Sequence, residues 1–575
     1  MAAFQYLNGK TIVVSNVSEI NSALVSVQPG DTLLMKSGTW TNAKIVFTAN
    51  GTAANPVYLI AEYPGKVILN GTSTLRINGN YLVVKGLYFL NGYSSSGDVI
   101  EFRNGSSHLS NYCRLTDCAI VDYNPSDMNT DYKWVSLYGS HNRVDHCYFK
   151  GKSHLGTTLV VWLSAQPNYY QIDSNYFAYR PYLNGINGAE TIRVGTSDWS
   201  MYDSYTTVEY NYFEECNGET EIISNKSCEN IYRYNTFYEC QGTLTLRHGN
   251  RCSVYGNYFF GGNVSNTGGI RIIGESHKIY NNYLTGLTGS GFRTAISIVD
   301  GIPNSPLNGY FQVKNAVVAF NTIVNNKYSI EIGSGKSSTQ NMPPLNCVIA
   351  DNIVQSNHSP IINYVDQPDS MTYEGNIMYG ASLGITNPVG IKLIDPMLHL
   401  ADDSLWRPGS GSPAIDSASG YFPFVINDFD GQPRDSIKDI GCDQHSSAPV
   451  IIHPLKPADA GIDWDLTVTG IKVGGTKNQS INNFSLMQNY PNPFNPTTAI
   501  SYQLSAFSQV TLKVYNALGR EIETLVNEEK HAGIYRAEFD GSKYPSGIYY
   551  YRIAIHSDKI ETGNNSSVKK MILLK

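Results

Sequence analysis

A short phrase that recurs along the chain constrains the fold more than any other feature of the sequence. It reads GLYFLNG, DHCYFKG, DSNYFAY, EYNYFEEC, RYNTFYEC, YGNYFFGG and YNNYLTG, starting at Gly86, Asp145, Asp173, Glu209, Arg233, Tyr255 and Tyr280. Successive central asparagines are 24, 22 and 25 residues apart, at Asn211, Asn235, Asn257 and Asn282. A period in the twenties with variable insertions is typical of a solenoid that extends loops from its turns.

Each repeat contains short alternating or apolar strands between Gly and Asn, with no segment of helix length. Leucine-rich repeats would need their leucine spacing, and propeller blades need about 40 residues. The 41 tyrosines and 51 glycines also favour strands and turns. The sequence therefore predicts an all-β protein with a right-handed parallel β-helix over residues 1–445, in which the repeated asparagines stack from coil to coil.

Four residue pairs share one interval of 24 and test the register. They are Asn211 and Asn235, Cys216 and Cys240, Gly218 and Gly242, and Cys228 and Cys252. One coil stacked directly on the next would produce this interval. The cysteine sulfurs are then predicted to be core atoms rather than metal ligands or nucleophiles.

The two ends of the repeat are atypical, as the ends of a solenoid must be. An amphipathic turn in VSEINSALVSVQPGDTLLMKSGTW is predicted to cap the start, and GSPAIDSASG and NDFDGQPRDSIKDIGCDQ end the repeat near residue 445. Residues 446–482 are interpreted as a linker. Residues 483–575 alternate in a different way and predict a small antiparallel β-sandwich.

Charge and hydropathy exclude several classes of partner. The net charge of −7 gives no basic field for nucleic acid. No apolar run reaches the roughly 18 residues of a membrane span. The N-terminus MAAFQYLNGK lacks the basic and apolar regions of a signal peptide, so either the protein stays in the cytoplasm or a signal peptide has been removed.

The stretch NGETEIISNKS concentrates charge in a chain that is only 15% charged. Residues two apart on a strand share a face, so Glu219 and Glu221 lie side by side. The 24-residue register predicts that Ile223 joins them on the outward face, beside Arg247 of the next coil. Lys226, just past the strand end, can turn back toward the same face.

Two interpretations of this acidic pair are open from the residues alone. It can be an exposed salt-bridge cluster, since charges on a strand face are usually solvated. It can also hold a cation, because the preceding coil adds Asn187 and Glu190 in NGINGAETIRVG. Carboxylate and amide oxygens are hard ligands of the kind that Ca²⁺ prefers.

The repeat phrase together with NGETEIISNKS, TLRHGN and NGAETIRVG resembles polysaccharide lyase family 6, the β-helix alginate lyases and the related chondroitinase B. The resemblance covers about residues 10–445. It implies that Lys226 is the catalytic base and Arg247 the acid. It also implies that Ca²⁺ is bound by Asn187, Glu190, Glu219 and Glu221.

Five further side chains are predicted to contact an anionic sugar chain. His248 adjoins Arg247, while Arg193 and Arg271 are expected in the same column and would pair with uronate carboxylates. Lys152 and His154, in FKGKSHLG, are placed at the edge of the cleft.

The tail resembles the C-terminal sorting domain of the type IX secretion system. The resemblance rests on NYPNPFNP from Asn489, VYNALGREI from Val514 and PSGIYYYRI from Pro545. It implies secretion or surface display through the type IX machinery, and favours a removed signal peptide. A carbohydrate-binding sandwich is the alternative for this tail.

The sequence thus predicts a secreted, Ca²⁺-dependent lyase that cleaves alginate by β-elimination and leaves unsaturated uronate ends. A dermatan sulfate lyase is one alternative. A non-catalytic β-helix adhesin or glycan-binding protein with the same tail is another. Preference among mannuronate, guluronate and mixed blocks, and endo or exo action, stay open.

Overall fold

The computed structural model describes residues 9–466, 484–486, 489, 492–504, 508–530, 533–556 and 566–575. It divides into two compact units, Met1–Val468 and Thr469–Lys575. The N-terminal decapeptide used for the signal-peptide interpretation lies mostly outside the described residues, as does the second half of the predicted linker. The sequence-based limits of β-helix, linker and tail stay predictions.

Three long sheets of parallel strands build the first unit, and the coils alternate among them. The strands of the first sheet are Thr11–Val14, Thr32–Met35, Val57–Ala61, Leu82–Lys85, Arg114–Thr116, Arg143–Asp145, Gln171–Asp173, Thr207–Glu209, Ile231–Arg233, Ser253–Tyr255, Lys278–Tyr280, Val317–Ala319, Val348–Ala350 and Thr372–Glu374. The strands of the second sheet are Lys44–Asn50, Thr74–Asn80, Ile100–Glu101, Ser110–Asn111, Val135–Leu137, Gly139–Ser140, Leu159–Val161, Ile192–Gly195, Glu221–Lys226, Thr243–His248, Ile270–Ile272, Ile296–Val299, Ile330–Ser334 and Ile362–Tyr364. The strands of the third sheet are Gly38–Thr41, Val67–Gly71, Leu87–Gly92, Ala119–Val121, Tyr148–Lys150, Tyr176–Arg180, Tyr212–Cys216, Thr236–Tyr238, Tyr258–Phe260, Tyr283–Thr285, Thr322–Val324, Ile353–Ser356, Asn376–Gly380 and Ile391–Lys392. The predicted parallel β-helix is confirmed.

One continuous apolar core runs inside the three sheets, because alternate strand residues point inward. The helix Val17–Leu24 contributes Ile20 and Ala23 to the start of this core. Its N-cap Asn16 accepts a hydrogen bond from the Glu19 backbone. The predicted amphipathic turn at the start of the solenoid is therefore a capped helix.

The repeated asparagines form a hydrogen-bonded ladder. Each side-chain amide donates to the side-chain oxygen of the next member at 2.9–3.0 Å, through Asn175, Asn211, Asn235, Asn257, Asn282, Asn321, Asn352 and Asn376. All eight side chains are buried. The predicted coil-to-coil stacking is confirmed, and it explains why the repeat phrase has asparagine at its centre.

Asn235→Ala is expected to destabilise the fold by about 3 kcal/mol, because it leaves buried polar partners unsatisfied. Asn235 donates to the Val208 carbonyl and to Asn257, and it accepts from the Asn211 backbone. Thermal and denaturant unfolding would measure the loss. The exposed Asn341 supplies the control, and an Asn341→Ala variant as unstable as Asn235→Ala would contradict the ladder's role.

All nine cysteines are buried and unpaired, as predicted for core atoms. Cys216 and Cys240 do stack, since the Cys216 backbone N–H donates to the Cys240 sulfur at 3.4 Å. Cys228 instead accepts from the Asn250 backbone, 22 residues on. Cys228 and Cys252 are therefore 24 residues apart without occupying equivalent positions on successive coils.

The predicted C-terminal cap does not extend the solenoid. The last paired strand is Ile391–Lys392, followed by an antiparallel hairpin of Leu398–Leu400 and Trp406–Pro408. The following residues return along the outside of earlier coils, where Phe429 packs on Tyr258. Further along, the Leu455 backbone donates to Thr236 and the Trp464 indole to the Asp117 carbonyl. The turn-rich segment thus covers a flank of the β-helix rather than its end.

The second unit holds two antiparallel sheets around an apolar core of its own. One sheet contains Phe484–Leu486, Thr497–Leu504 and Gly533–Asp540, and the other contains Ser508–Asn516, Glu521–Lys530, Gly547–His556 and Ser566–Leu573. Besides helix Val17–Leu24, the described residues contain three short 3-10 helices. They are Ser197–Trp199 and Gly291–Arg293 in the first unit and Gly541–Lys543 in the second. None of the described helices could cross a membrane.

Candidate active site

The strand Glu221–Lys226 is irregular where it pairs with the following coil. Glu221 lies opposite Thr243, but Ile223 lies opposite Leu244, so one extra residue is inserted here. Ile223, predicted to face outward, is fully buried in the core. The uniform 24-residue register is therefore wrong in this sheet, because a β-bulge interrupts the alternation.

A second shift of register follows at the end of the same strand. Asn225 lies opposite Leu246, whereas Lys226 lies opposite His248, which leaves Arg247 as the extra residue. Bulges commonly re-aim a side chain next to functional sites. Here the bulge gathers the cationic side chains at one end of the strand pair.

Three glutamates converge beside this bulge. Glu190, Glu219 and Glu221 can each place one carboxylate oxygen within 4.8 Å of the others. Glu190 is 1% exposed and Glu219 9%. Burial and the two neighbouring carboxylates raise the pKa of Glu219 to about 8, although the Gly188 backbone N–H donates to it at 3.2 Å. Such a group favours a cation at its centre.

Lys226 is the basic residue that pairs with Glu190, and its Nζ lies 3.8 Å from Glu190 Oε1. The other oxygen of Glu190, Oε2, is buried and has no hydrogen-bond partner. Asn187 is exposed in the turn just before Gly188, next to the group. Among the described residues, the ion pairs of this group involve Glu190 and Glu221 but not Glu219, so the buried Glu219 carboxylate lacks a paired positive charge.

Arg247 is held in place by the loop that follows strand Ile296–Val299 of the second sheet. Its guanidinium donates to the carbonyls of Gly309 at 2.7 Å and Asn308 at 3.3 Å. It also lies 4.1 Å from the centre of the Tyr310 ring and 3.7 Å from Glu221. Burial lowers the pKa of Arg247 from its usual value, but a guanidinium stays charged at neutral pH.

Arg271 links the acidic group to the same loop. It donates to Glu221 at 3.3 Å and to the Tyr310 hydroxyl at 3.0 Å, and it stacks 3.8 Å from the centre of the Phe292 ring. Only 3% of its surface is exposed. The structure brings Arg271 to the site as predicted, and its contacts orient Glu221.

His248 is buried between two donors of the site. Its Nε2 lies 3.2 Å from the Ser197 hydroxyl and its Nδ1 lies 3.3 Å from Arg247. Burial, with Arg247 and Lys226 nearby, lowers the pKa of His248 to about 2. The neutral imidazole therefore adds no charge to the site at neutral pH.

Lys152 and His154 do not reach the cleft edge, contrary to the sequence-based prediction. They are 1% and 0% exposed. Lys152 donates to the His154 and Leu155 carbonyls, and its Nζ lies 3.0 Å from His154 Nε2. Burial holds the pKa of Lys152 well below its ordinary value and lowers that of His154 to about 2. The FKGKSHLG segment turns into the interior, where backbone carbonyls accept hydrogen bonds from the buried Lys152.

A second acidic group has its negative charge balanced by an arginine. Asp428, Asp430 and Asp443 also place oxygens within 4.8 Å of one another. Arg407 donates to Asp430 at 2.7 Å and pairs with Asp443 at 3.0 Å. A guanidinium thus already supplies the positive charge there. At the glutamate group, Arg271 and Arg247 face Glu221, whereas Glu190 Oε2 has no hydrogen-bond partner, and the oxygen donors around it fit a calcium ion.

Sequence reasoning missed the loop residues of the site. Tyr310, Asn308 and Gly309 lie about 60 residues beyond Arg247 and outside the repeat phrase. Phe292 and Arg293 are also remote in sequence, and Arg293 donates to Thr220 at 2.8 Å. A long insertion between repeats was the available signal, because such loops carry function in solenoids.

Comparison with known proteins places both parts of the chain. The family model described as Chondroitinase B matches residues 14–421, and the model described as secretion system C-terminal sorting domain matches residues 488–574. No curated protein is a significant match.

Several solved structures are similar to the chain. The alginate lyase AlyGC is 35% identical over 81% of this chain, with a TM-score of 0.70, and the match spans 60% of the length of AlyGC. A mannuronic acid specific family 6 lyase from human gut microbiota is 33% identical over 67% of this chain and 91% of its own, with a TM-score of 0.61. A family 6 lyase from Pseudopedobacter saltans is 27% identical over 79% of this chain and 100% of its own, with a TM-score of 0.62.

The repeat architecture, the acidic group beside Lys226 and Arg247, and the match over residues 14–421 agree with one another. The chain belongs to the chondroitinase B-like polysaccharide lyases of family 6 and has a C-terminal sorting domain.

Proposed function

We propose that this protein cleaves alginate by β-elimination, with Lys226 as base, Arg247 at the leaving group and Ca²⁺ bound among the glutamates. The observation that carries the proposal is the convergence of these groups. Lys226, Arg247 and three carboxylates meet at one bulged strand pair, and one buried carboxylate oxygen there has no partner.

The reaction requires removal of a weakly acidic proton next to a uronate carboxylate. A calcium ion held by Glu190, Glu219, Glu221 and Asn187 would stabilise the negative charge that develops on that carboxylate. Lys226 takes the C5 proton in its neutral form. Its Nζ lies 3.8 Å from Glu190 Oε1 and its side chain is 16% exposed, which supports a role at the edge of the glutamate group.

Arg247 lies on the leaving-group side in this proposal. A guanidinium holds its own protons at neutral pH, so Arg247 donates hydrogen bonds to the departing O4 oxygen rather than transferring a proton outright. The protonation of that oxygen is completed with water. Because Gly309 and Tyr310 hold Arg247 in position, little reorganisation is needed as charge develops.

Alginate is favoured as the polymer because two of the similar structures are described as an alginate lyase and as a mannuronic acid specific lyase. Dermatan sulfate is the second candidate, since the matching family model is described as Chondroitinase B. The sorting domain supports a secreted or surface location reached through the type IX system.

The proposal is tested by the ultraviolet absorbance of unsaturated uronate products. Full-length protein with added calcium would be incubated with polymannuronate, polyguluronate and dermatan sulfate. We expect product from at least one alginate block and none from dermatan sulfate. Product from dermatan sulfate alone would overturn the choice of polymer. A folded protein that acts on none of the three would favour a non-catalytic glycan-binding role.

A further inference from the structure

The loop that holds Arg247, residues 300–312, is attached at its base to the coil that follows it. Gly301 and Met342 exchange two backbone hydrogen bonds, at 2.7 and 3.0 Å. At the other end of the contact, the loop carbonyl of Gly309 accepts from Arg247 at 2.7 Å. The position of the guanidinium therefore depends on how firmly the base of this loop is held.

The first residue of the loop, Asp300, has a satisfied backbone and an unsatisfied side chain. Its N–H donates to the Ser334 carbonyl at 3.0 Å, and its carbonyl accepts from the Gln340 side chain at 2.8 Å. The residue is 0% exposed, yet among the described residues no hydrogen-bond donor reaches either carboxylate oxygen. Because an ionised carboxylate is costly to bury without donors, this environment favours the neutral acid.

The group that Asp300 faces is a second carboxyl group. Asp366 lies within hydrogen-bonding reach of Asp300 and forms an ion pair with Lys336. Asp366 and Lys336 are the charged groups that face Asp300 among the described residues, and they lie on the turns after strands Ile362–Tyr364 and Ile330–Ser334. Two carboxyl groups in contact cannot both carry full charge without strong repulsion, so they share a proton.

The two environments assign that proton to Asp300. Burial, together with Asp366, raises the pKa of Asp300 to about 7. Lys336 and Asp300 lower the pKa of Asp366 below its ordinary value, although its burial acts in the opposite direction. Below pH 7 Asp300 is therefore the donor and Asp366 the charged acceptor.

Asp366 has little room to move away from this contact. Its backbone packs against Gly333, where an added Cβ would lie 2.4 Å from the Asp366 nitrogen. The neighbouring Val365 N–H donates to the Ile332 carbonyl at 2.8 Å. Ionisation of Asp300 would thus place two negative charges in contact at the base of the loop.

We propose that Asp300 is a proton-dependent positioning residue for Arg247. As a neutral acid it donates to Asp366 and keeps loop 300–312 on the following coils. As a carboxylate it is repelled by Asp366, so the loop loosens and the contacts that hold the guanidinium weaken. The effect on catalysis rests on the proposed function, whereas the movement of the loop does not.

The sign of the pH dependence follows from the raised pKa of Asp300. The stability that its proton contributes is complete below about pH 4, the ordinary range of an aspartic acid, and is lost as the pH rises to about 7. In the folded protein the protonated fraction of Asp300 falls from about nine tenths at pH 6 to about one tenth at pH 8. Lys226 also changes charge with pH, so wild type and variant are compared at each pH.

Asp300→Asn tests the proposal, because the amide keeps a donor toward Asp366 at every pH. Hydrogen exchange of the full-length proteins, followed by mass spectrometry, measures opening of the loop without substrate. We expect peptides from residues 300–312 to exchange at similar rates at pH 6, and about tenfold faster in the wild type than in Asp300→Asn at pH 8. With alginate, kcat/KM of the wild type relative to Asp300→Asn should fall about tenfold between pH 6 and pH 8.

Two further variants complete the experiment. Asp366→Asn serves if Asp300→Asn does not fold, since its amide can donate to an ionised Asp300 and should also protect the loop at pH 8. Asp369→Asn is the matched control, because it changes an exposed acid in the same turn and should behave as the wild type.

The outcomes separate this inference from the proposed function. Loop exchange at pH 8 that is equal in the wild type and in the folded variants would overturn the role of Asp300, and cleavage of alginate in that case would leave the proposed function intact. A loop that loosens while the ratio of kcat/KM stays constant would overturn the positioning of Arg247. Loosening of the loop in a protein that cleaves no uronate polymer would support the proton-dependent contact and overturn the proposed function.

Discussion

Lys226→Ala is expected to lower kcat/KM on alginate by about a thousandfold, the range that a positioned general base contributes. That loss corresponds to about 4 kcal/mol of transition-state stabilisation. The lysine lies at the end of a bulged strand, beside Glu190 and opposite His248. No other lysine lies in the group, so the described residues offer no substitute base there. Initial rates of unsaturated product formation with purified variants would measure the effect.

Two comparisons separate a chemical role from a structural one. Lys327→Ala removes an exposed lysine from a turn of another coil and should leave both rate and stability unchanged. Thermal unfolding should show that Lys226→Ala is still folded at the assay temperature, with a lower Tm because the variant loses the ion pair to the buried Glu190. Full activity in a folded Lys226→Ala protein would remove the lysine from the mechanism and leave only its ion pair with Glu190.

The repeat could be predicted because the same backbone groups need hydrogen-bond partners at the turn of each coil. Buried backbone groups at the turns need partners, and a stacked asparagine such as Asn235 or Asn257 supplies them on both sides. That requirement fixes one residue type at one place in the coils from Asn175 to Asn376. The period, the strands and the inward apolar rows follow from it.

The register at the site could not be predicted in the same way. A β-bulge inserts one residue without changing the composition of the strand. The 24-residue interval therefore predicts the wrong face for Ile223. The residue types of NGETEIISNKS still indicated the cluster, because charge is scarce elsewhere. Their exact neighbours depended on the bulge. Arg271 lies beside Glu221, but the bulge places Thr245 rather than Arg247 in its row, and the substrate contact of Arg271 stays a prediction.

The sequence pattern could not predict the positions of side chains that reach the site from loops or that turn into the interior. Tyr310 and Phe292 reach the arginines through long-range packing that no local signal encodes. Lys152 was predicted at the cleft edge but is buried. A lysine beside a histidine in a glycine-rich turn suggests exposure, yet carbonyl groups and an uncharged imidazole accommodate it inside.

Calcium is expected to stabilise the protein and to be needed for activity. Burial and two like charges make the glutamate group costly without a cation, as the raised pKa of Glu219 indicates. A hundredfold excess of calcium over its Kd would add about 2.7 kcal/mol to the free energy of unfolding. Chelation should lower kcat by at least about a hundredfold, because the lost charge stabilisation is worth several kcal/mol. Thermal unfolding and product formation, each with and without calcium, would measure both effects.

Glu219→Gln separates a metal site from a salt-bridge cluster. The amide keeps the shape of the side chain and removes one buried negative charge, so the metal-free variant should be no less stable than the metal-free wild type. It should also bind calcium more weakly and show a smaller calcium-induced rise in Tm. Glu215→Gln, at an exposed position on the third sheet, should respond to calcium as the wild type does. If the glutamates are instead neutralised by Lys226, Arg247 and Arg271 alone, calcium would leave Tm unchanged in all three proteins, and Glu219→Gln would lose stability because it removes an ion-pairing charge.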